Sequence, residues 1–299
     1  MIDPSGGFAA GMTGASVLPA VLIGLVGGWL VGMTGIGAGS VIAALLLVFY
    51  PSTPPQVIVG SATMQAVMMK LAGVWWRRRF QLGERGLGVW MALGAIPLAV
   101  AGAWTTSRLD AAMLRPIITW VLVAVGVLLI AQAVSRRAAG GEDAAGDGGG
   151  DEAAEAEADA VPAAAIPAEV GSRFGVLGGD PARGRVFGLG AAVGYIAGLT
   201  SIGTGTLFVS ALAGPLRVDA HRAVAAAMVA GMLTLIVSAG THTMLGHLDP
   251  ALAVTTAAGS IPGVIVGTVL GRRLSARWLK GAIGLMILLA AGMSLARLR

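Results

Sequence analysis

Gly32-Met33-Thr34-Gly35-Ile36-Gly37-Ala38-Gly39 splits one apolar region into residues 17–31 and 41–50, and Gly198-Leu199-Thr200-Ser201-Ile202-Gly203-Thr204-Gly205 splits another into residues 186–197 and 207–216. A helix needs roughly 20 apolar residues to cross a bilayer core about 30 Å thick. None of these four pieces has them, whereas residues 57–76, 87–106, 114–134, 223–245, 251–270 and 278–296 do. Glycine lets the backbone unwind, and unwound backbone at membrane depth survives only inside protein or around a cavity. Each glycine stretch is therefore predicted to be the tip of a re-entrant or broken-helix hairpin ending near the midplane. The two hairpins are expected to enter from opposite faces and to present their tips to one another across a polar cavity.

The two stretches belong to a longer correspondence. Residues 34–39 align with residues 200–205 at an offset of 166. Gly94-Ala95-Ile96-Pro97 with Gly102 aligns with Gly259-Ser260-Ile261-Pro262 with Gly267 at an offset of 165. Further on, Arg108-Leu109 matches Arg273-Leu274, and Leu114-Arg115 matches Leu279-Lys280. An offset held across separate landmarks marks an internal duplication, a common build for transporters.

The basic residues orient the halves. With five segments per half, the Lys and Arg at 77–79, 85, 136–137, 217, 222, 272–273, 277 and 280 share one face, and only Arg108, Arg115, Arg297 and Arg299 lie on the other. That bias puts the first face in the cytoplasm. An even number of segments would separate the clusters at 77–79 and 272–280, so an odd number, and with it inverted topology, is favoured. The expected fold is an all-α polytopic membrane protein of two inverted-topology repeats. Each repeat is a glycine-tipped helical hairpin followed by three transmembrane helices.

Composition agrees with a membrane location. Of 299 residues, 56% are hydrophobic and 12% charged, against about 25% charged in a soluble domain. Nine of the fifteen acids fall between Glu142 and Glu169, which divides the chain into a first membrane repeat (1–137), an acidic linker (138–182) and a second repeat (183–299). The linker has too little apolar surface to offset ordering entropy and is expected to be a disordered cytoplasmic tether, with an interaction tail as the alternative. Basic residues flank apolar helices, so the net charge of +5 reports topology and not nucleic-acid binding. No cysteine is present, which excludes disulfides and thiolate ligands. Asp3 is the only charge before the first apolar run, so no cleaved leader is expected.

The candidate site follows from the glycine motifs. Ser40 and Thr206 begin short helices whose free N–H groups and dipole ends face the membrane interior, a ready anion site. Thr34, Gly35, Gly37 and Gly39 with Ser40, and Thr200, Ser201, Gly203, Thr204 and Gly205 with Thr206, supply backbone access and neutral donors. Small-residue helix packing is the competing account of such glycines, and the recurrence between segments too short to span favours the site. No strand precedes the motifs and no P-loop lysine follows, so they are not a nucleotide fingerprint.

No Asp or Glu lies inside a predicted helix, and a transported cation needs a counter-charge there. The substrate is thus expected to be anionic or neutral. Ser61, Thr63 and Gln65 are placed to line a polar path, with hydroxyl bonding back to the helix as the alternative for the first two. Lys70 has two readings, snorkelling to the cytoplasmic interface or attracting the substrate. Pro97 and Pro262 predict kinks or, less readily, freed carbonyls for a co-transported cation. Trp75, Trp76, Trp104 and Trp278 flank charge clusters as an aromatic belt. His221, His242 and His247 are few and separated along the chain, so no metal site is expected; His221-Arg222 is an interfacial pair or a vestibule charge.

The stretch from Gly28 to Gly39, then Val59-Gly60-Ser61-Ala62-Thr63, then Gly94 to Gly102, resembles the TauE/SafE sulfite-exporter family of anion permeases, and Gly194 to Gly205 with Gly259 to Gly267 resembles it again. The likeness covers nearly all of the chain outside the linker. It implies a bacterial inner-membrane permease for sulfite, sulfonates such as sulfoacetate, or related small organic anions, with the glycine motifs near the transport path. The chain departs from the family pattern at Ala225-Ala226-Ala227, where the first half has the hydroxyl-bearing Gly60-Ser61-Ala62-Thr63.

These readings converge on a secondary transporter working by alternating access at a midplane anion site of helix N-termini and hydroxyls. It is not expected to be an enzyme or to carry a metal or cofactor. Its partners would be a small anion, the bilayer and a coupling ion, either proton or sodium. A permease for a carboxylate or neutral metabolite is the nearest alternative, and a membrane-embedded lipid phosphatase or scaffold a more distant one.

Overall fold

The computed structural model describes residues 14–34, 38–77, 85–138, 181–202, 205–216, 218, 220–271 and 276–296. Among these residues the chain is all helical: α1 (Gly14–Thr34), α2 (Ala38–Phe49), α3 (Pro55–Arg77), α4 (Arg85–Arg108), α5 (Ala111–Ala138), α6 (Pro181–Thr200), α7 (Thr206–Ala213), α8 (Ala220–Met244), α9 (Pro250–Gly271) and α10 (Ala276–Ala296). Within α4, α5, α8 and α9, the segments Gly86–Arg108, Ala111–Gln132, Arg222–Met244 and Pro250–Leu270 are long and apolar enough to cross a membrane. Large side chains such as Leu22, Trp120, Val269 and Leu289 are exposed on the outside of the bundle, as lipid contact requires. The protein is a polytopic membrane protein. The expected linker, apart from its helical ends, lies outside the described residues.

The first limb of each hairpin is longer than its apolar run. α1 has 21 residues and α6 has 20, about 30 Å each at 1.5 Å per residue. Both helices run past the apolar stretches read from the sequence, yet neither is among the four segments long and apolar enough to cross, and the apolar part of α1 is the shorter Val17–Met33. Gly, Ala and Ser before residue 17, and the Pro181–Arg185 turn, lower hydropathy without breaking a helix. The second limbs stay short, at 12 residues in α2 and 8 in α7. Of the six expected spans, α3 is long but carries Ser61, Thr63, Gln65 and Lys70. Most of its described side chains are buried or half-buried by protein.

Two helix pairs organise the bundle, and each joins one half of the chain to the other. α1 lies along α9, and α4 lies along α6. Their spacing is set by glycines every fourth residue. A Cβ on Gly28 would lie 2.2 Å from the Ser260 carbonyl oxygen, and one on Gly194 would lie 2.2 Å from that of Ala95. Small residues let backbones approach in this way, which gives dispersion and Cα–H···O contacts that larger side chains would prevent. Contacts progress in the same direction along both partners. Gly24 faces Thr256 and Gly32 faces Val264, while Gly190 faces Met91 and Gly198 faces Ala99. Both pairs are parallel. The upstream glycines of the sequence motifs thus serve helix packing.

Capping fixes the connection between α8 and α9. Gly246 takes φ +73°, the Gly246 N–H bonds to the Thr243 carbonyl at 3.1 Å and the His247 N–H to the His242 carbonyl at 2.9 Å. That is a Schellman ending, which only glycine enters without a Cβ penalty. Asp249 then caps α9 by accepting the Leu252 N–H at 3.1 Å, with Pro250 at the first helical position.

Candidate substrate site

The first hairpin folds back on itself. Gly27 packs under Ile42, and the Tyr50 phenol meets the backbone of Ala20, so α1 and α2 run antiparallel around the glycine tip. Gly35 and Gly37 lie outside the described residues, as does the Thr34 side chain. Gly39 and Ser40, at the start of α2, are buried.

The second tip is resolved in more detail. Thr200 donates its hydroxyl to the Ile196 carbonyl at 2.6 Å and accepts the Ile202 N–H at 3.2 Å. Between them Ser201 adopts φ 59°, a left-handed conformation that costs a non-glycine residue on the order of 1 kcal/mol. This reversal ends α6 and releases the Gly198 carbonyl, whose helical partner would be the Ile202 N–H. Gly203 and Thr204 lie outside the described residues. The chain resumes at Gly205, which caps α7 without any side-chain hydrogen bond, leaving the first N–H groups of α7 to other partners.

The two tips meet. A Cβ on Gly39 would lie 2.0 Å from the Ser201 carbonyl oxygen and 3.3 Å from its hydroxyl. The hydroxyls of Ser201 and Thr206 are both buried with no hydrogen-bond partner among the described residues. Two further buried atoms share that state, the Ser238 hydroxyl on α8 and the Gln65 amide oxygen on α3. Buried polar groups are almost always paired, so four orphans need an explanation. One apolar cluster unites their neighbours, including Ile42, Ala66, Leu199, Ile202, Leu235 and Ala239.

The α3 candidates divide. Gln65 belongs with the orphans: its amide nitrogen donates to the Ser260 hydroxyl at 2.6 Å on α9, and its oxygen is left over. Ser61 accepts the Asp249 N–H at 3.0 Å and donates to the Asp249 carbonyl at 3.3 Å, so it ties α3 to the start of α9. Thr63 donates back to the Val59 carbonyl at 2.7 Å. Lys70 is half-buried, further along α3. At the matched position in the second half, Ala226 and Ala227 are buried against α4 and contribute no polar group.

Sequence reasoning missed Ser238 and the histidines. His242 and His247, five residues apart in the sequence, come together with Nδ1 atoms 3.4 Å apart, a pairing the spacing along the chain did not announce. The available signal was Gly246: a helix-ending glycine just before His247 folds that residue back onto the last turn. Among the described residues no group of three or more potential ligands gathers to hold a metal. A groove lined by Arg185, Leu189 and Leu216 lies where α6 begins and α7 ends, at the open end of the second hairpin rather than its tip.

Comparison with known proteins adds an independent line. The sequence model of the family described as "Sulfite exporter TauE/SafE" matches residues 20–294. The "Probable membrane transporter protein YjnA" of Bacillus subtilis (strain 168) is 26% identical over 281 residues, covering 90% of this chain and 96% of that protein. No solved structure matches.

Proposed function

Because the chain belongs to the sulfite exporter TauE/SafE family, whose members are membrane transporters and not enzymes, we propose that it carries a small organic or sulfur-containing anion such as sulfite or a C2 sulfonate like sulfoacetate. The site is where the hairpin tips meet, and the substrate reaches it alternately from the two sides of the membrane. The observation that carries this reading is the Gly39–Ser201 approach, where the Ser201 hydroxyl is partnerless, together with the partnerless Thr206 hydroxyl and the uncapped start of α7 a few residues further along the chain. Hydroxyl O–H and backbone N–H groups are donors, and an anion is the ligand that satisfies donors without offering any in return. A helix N-terminus adds up to about 2 kcal/mol for a partly buried anion. None of the ten helices contains Asp or Glu, so nothing within them repels negative charge.

Parallel packing of α1 with α9 and of α4 with α6 supports inverted repeats. A five-element half that starts from the opposite face reverses every helix, which makes the first and ninth elements, and the fourth and sixth, point the same way. The arginine bias then places the linker in the cytoplasm of a bacterial cell. We tie alternating access to that symmetry, each hairpin closing one face.

A thermal-shift panel on the detergent-purified chain, followed by exchange in proteoliposomes, tests the reading. Sulfite or a sulfonate should stabilise the protein and exchange across the membrane. Exchange of a carboxylate or a neutral metabolite alone would move the assignment to that class, and no response to any of these anions would sink it.

A further inference from the structure

We propose that His242 and His247 form a single-proton site that couples proton movement to the anion site; this rests on the transport reading above. Donor and acceptor accounting fixes the protons. His242 is fully buried, and its Nε2 lies 2.9 Å from the Gly198 carbonyl oxygen. A carbonyl only accepts, so that nitrogen carries hydrogen and the Nδ1 of neutral His242 is an acceptor. Thr106 spends its one hydroxyl proton on the Ala103 carbonyl, so toward His247 Nδ1, 3.4 Å away, it accepts. His247 must then hold hydrogen on Nδ1, shared between Thr106 and His242 Nδ1.

One basic nitrogen can still take a proton without breaking these bonds, the Nε2 of His247. Protonation there leaves one positive charge delocalised over the pair through the Nδ1–H···Nδ1 bond. A second proton would have to go to His242 Nδ1, turning two N–H groups toward each other. The pair therefore has a capacity of one.

Among the described residues few other charges face it. On α4, Arg108 is held over the Trp104 ring at 4.5 Å. On α9, Asp249 is committed to its cap. α3 approaches through Gly60, against the His247 carbonyl, and its first four turns are uncharged. α6 carries Arg183 and Arg185 only at its far end, and α8 carries Arg222 at its own start. The half-burial of His247 also holds its imidazole below the usual histidine range, so burial disfavours the charged form unless a partner favours it.

An anion at the tip supplies that favour. His242 grips the Gly198 carbonyl, which the left-handed Ser201 released, so the charge would sit against the residues that line the site. Each ligand then raises affinity for the other by the same factor, as linkage demands. One proton is bound with the anion, at His247 Nε2, and leaves from the same nitrogen when the anion is released.

The test uses the full chain in proteoliposomes with entrapped pyranine, the membrane potential clamped, sulfoacetate as the anion and a pH gradient imposed. Exchange of labelled sulfoacetate at equal pH serves as the separate measure of anion transport. Wild type should move sulfoacetate down the imposed gradient with a matching pyranine signal. H247Q should retain exchange within about threefold yet lose gradient-driven movement by about tenfold or more, a coupling of ordinary size, and H242Q should lose gradient-driven movement as well. H242Q also removes the Gly198 tether; if it does not fold, H247Q, which spares the tether, decides. Gradient-driven movement surviving in H247Q, or a silent pyranine trace beside active wild-type exchange, overturns the proton site and leaves the anion reading intact. If no anion exchanges at all, nitrogen-15 histidine NMR between about pH 8 and pH 4 decides. Joint uptake of one proton, lost for His242 in H247Q, supports the site, and two rings titrating independently overturn it.

Discussion

The Ser201 carbonyl oxygen occupies the place where a side chain on Gly39 would begin, 2.0 Å from the ideal Cβ position. Two tips from halves of the chain 162 residues apart in sequence are thereby locked together through one missing methyl group. Gly39→Ala must push the tips apart, because backbone on one side and a helix start on the other leave nothing flexible to yield. Anion exchange should fall by about tenfold or more, with membrane insertion unchanged because apolar length is preserved. Gly240→Ala, whose Cβ meets nothing within 4 Å, serves as the control. Equal exchange in both variants would separate the tips from transport.

Thr206→Val tests the orphan hydroxyls. Replacing a buried, unpartnered hydroxyl by a methyl of the same shape costs nothing and is often stabilising. The melting temperature without substrate should hold or rise, while affinity for the anion weakens by about tenfold, equivalent to ~1.4 kcal/mol. A lower melting temperature would reveal that the hydroxyl has a structural partner.

Gly28→Leu addresses packing instead of transport. Its side chain would be driven into the Ser260 backbone, so the α1–α9 pair cannot close. Fluorescence size-exclusion chromatography should show loss of monodisperse protein. Gly188→Leu, with open space around its Cβ, should elute as wild type.

Lys70 retains its two readings, and Lys70→Met separates them. Snorkelling predicts exchange within a few-fold of wild type. Loss of anion-dependent flux at normal expression would make Lys70 a substrate residue.

Acid stability of the apoprotein should depend on His247. Burial lowers its folded pKa beneath the unfolded value of about 6.5, so the unfolded chain binds the extra proton and stability falls as pH drops through that value and below it. H247Q should flatten this part of the melting-temperature profile. An unchanged acid slope would assign the loss to other groups.

The hairpins were legible because helix length and glycine density are local properties: residues 32–39 and 198–205 interrupt apolar runs whatever surrounds them. The helix ends were less legible for the same reason, since hydropathy at Gly14, Ala15 and Ser16 says little about whether the helix continues past its apolar part. The orphan state of Gln65 and Ser238 was not legible, because it depends on what the helices packed against them fail to offer. The histidine pair lay between these cases. Gly246 announces a helix ending, but only the Schellman geometry converts a five-residue separation into neighbouring rings.

The crossed pairing of α1 with α9 and of α4 with α6 has a consequence for biogenesis. The first hairpin leaves the ribosome with its glycine face unmatched, and its partner α9 follows about 200 residues later, roughly 10–40 s at ordinary translation rates. During that interval α1 presents to the bilayer, or to an insertase, a strip of bare backbone that its own half cannot cover. A chain cut within residues 139–180 should therefore yield two fragments that are each degraded when expressed alone and restore transport when made together.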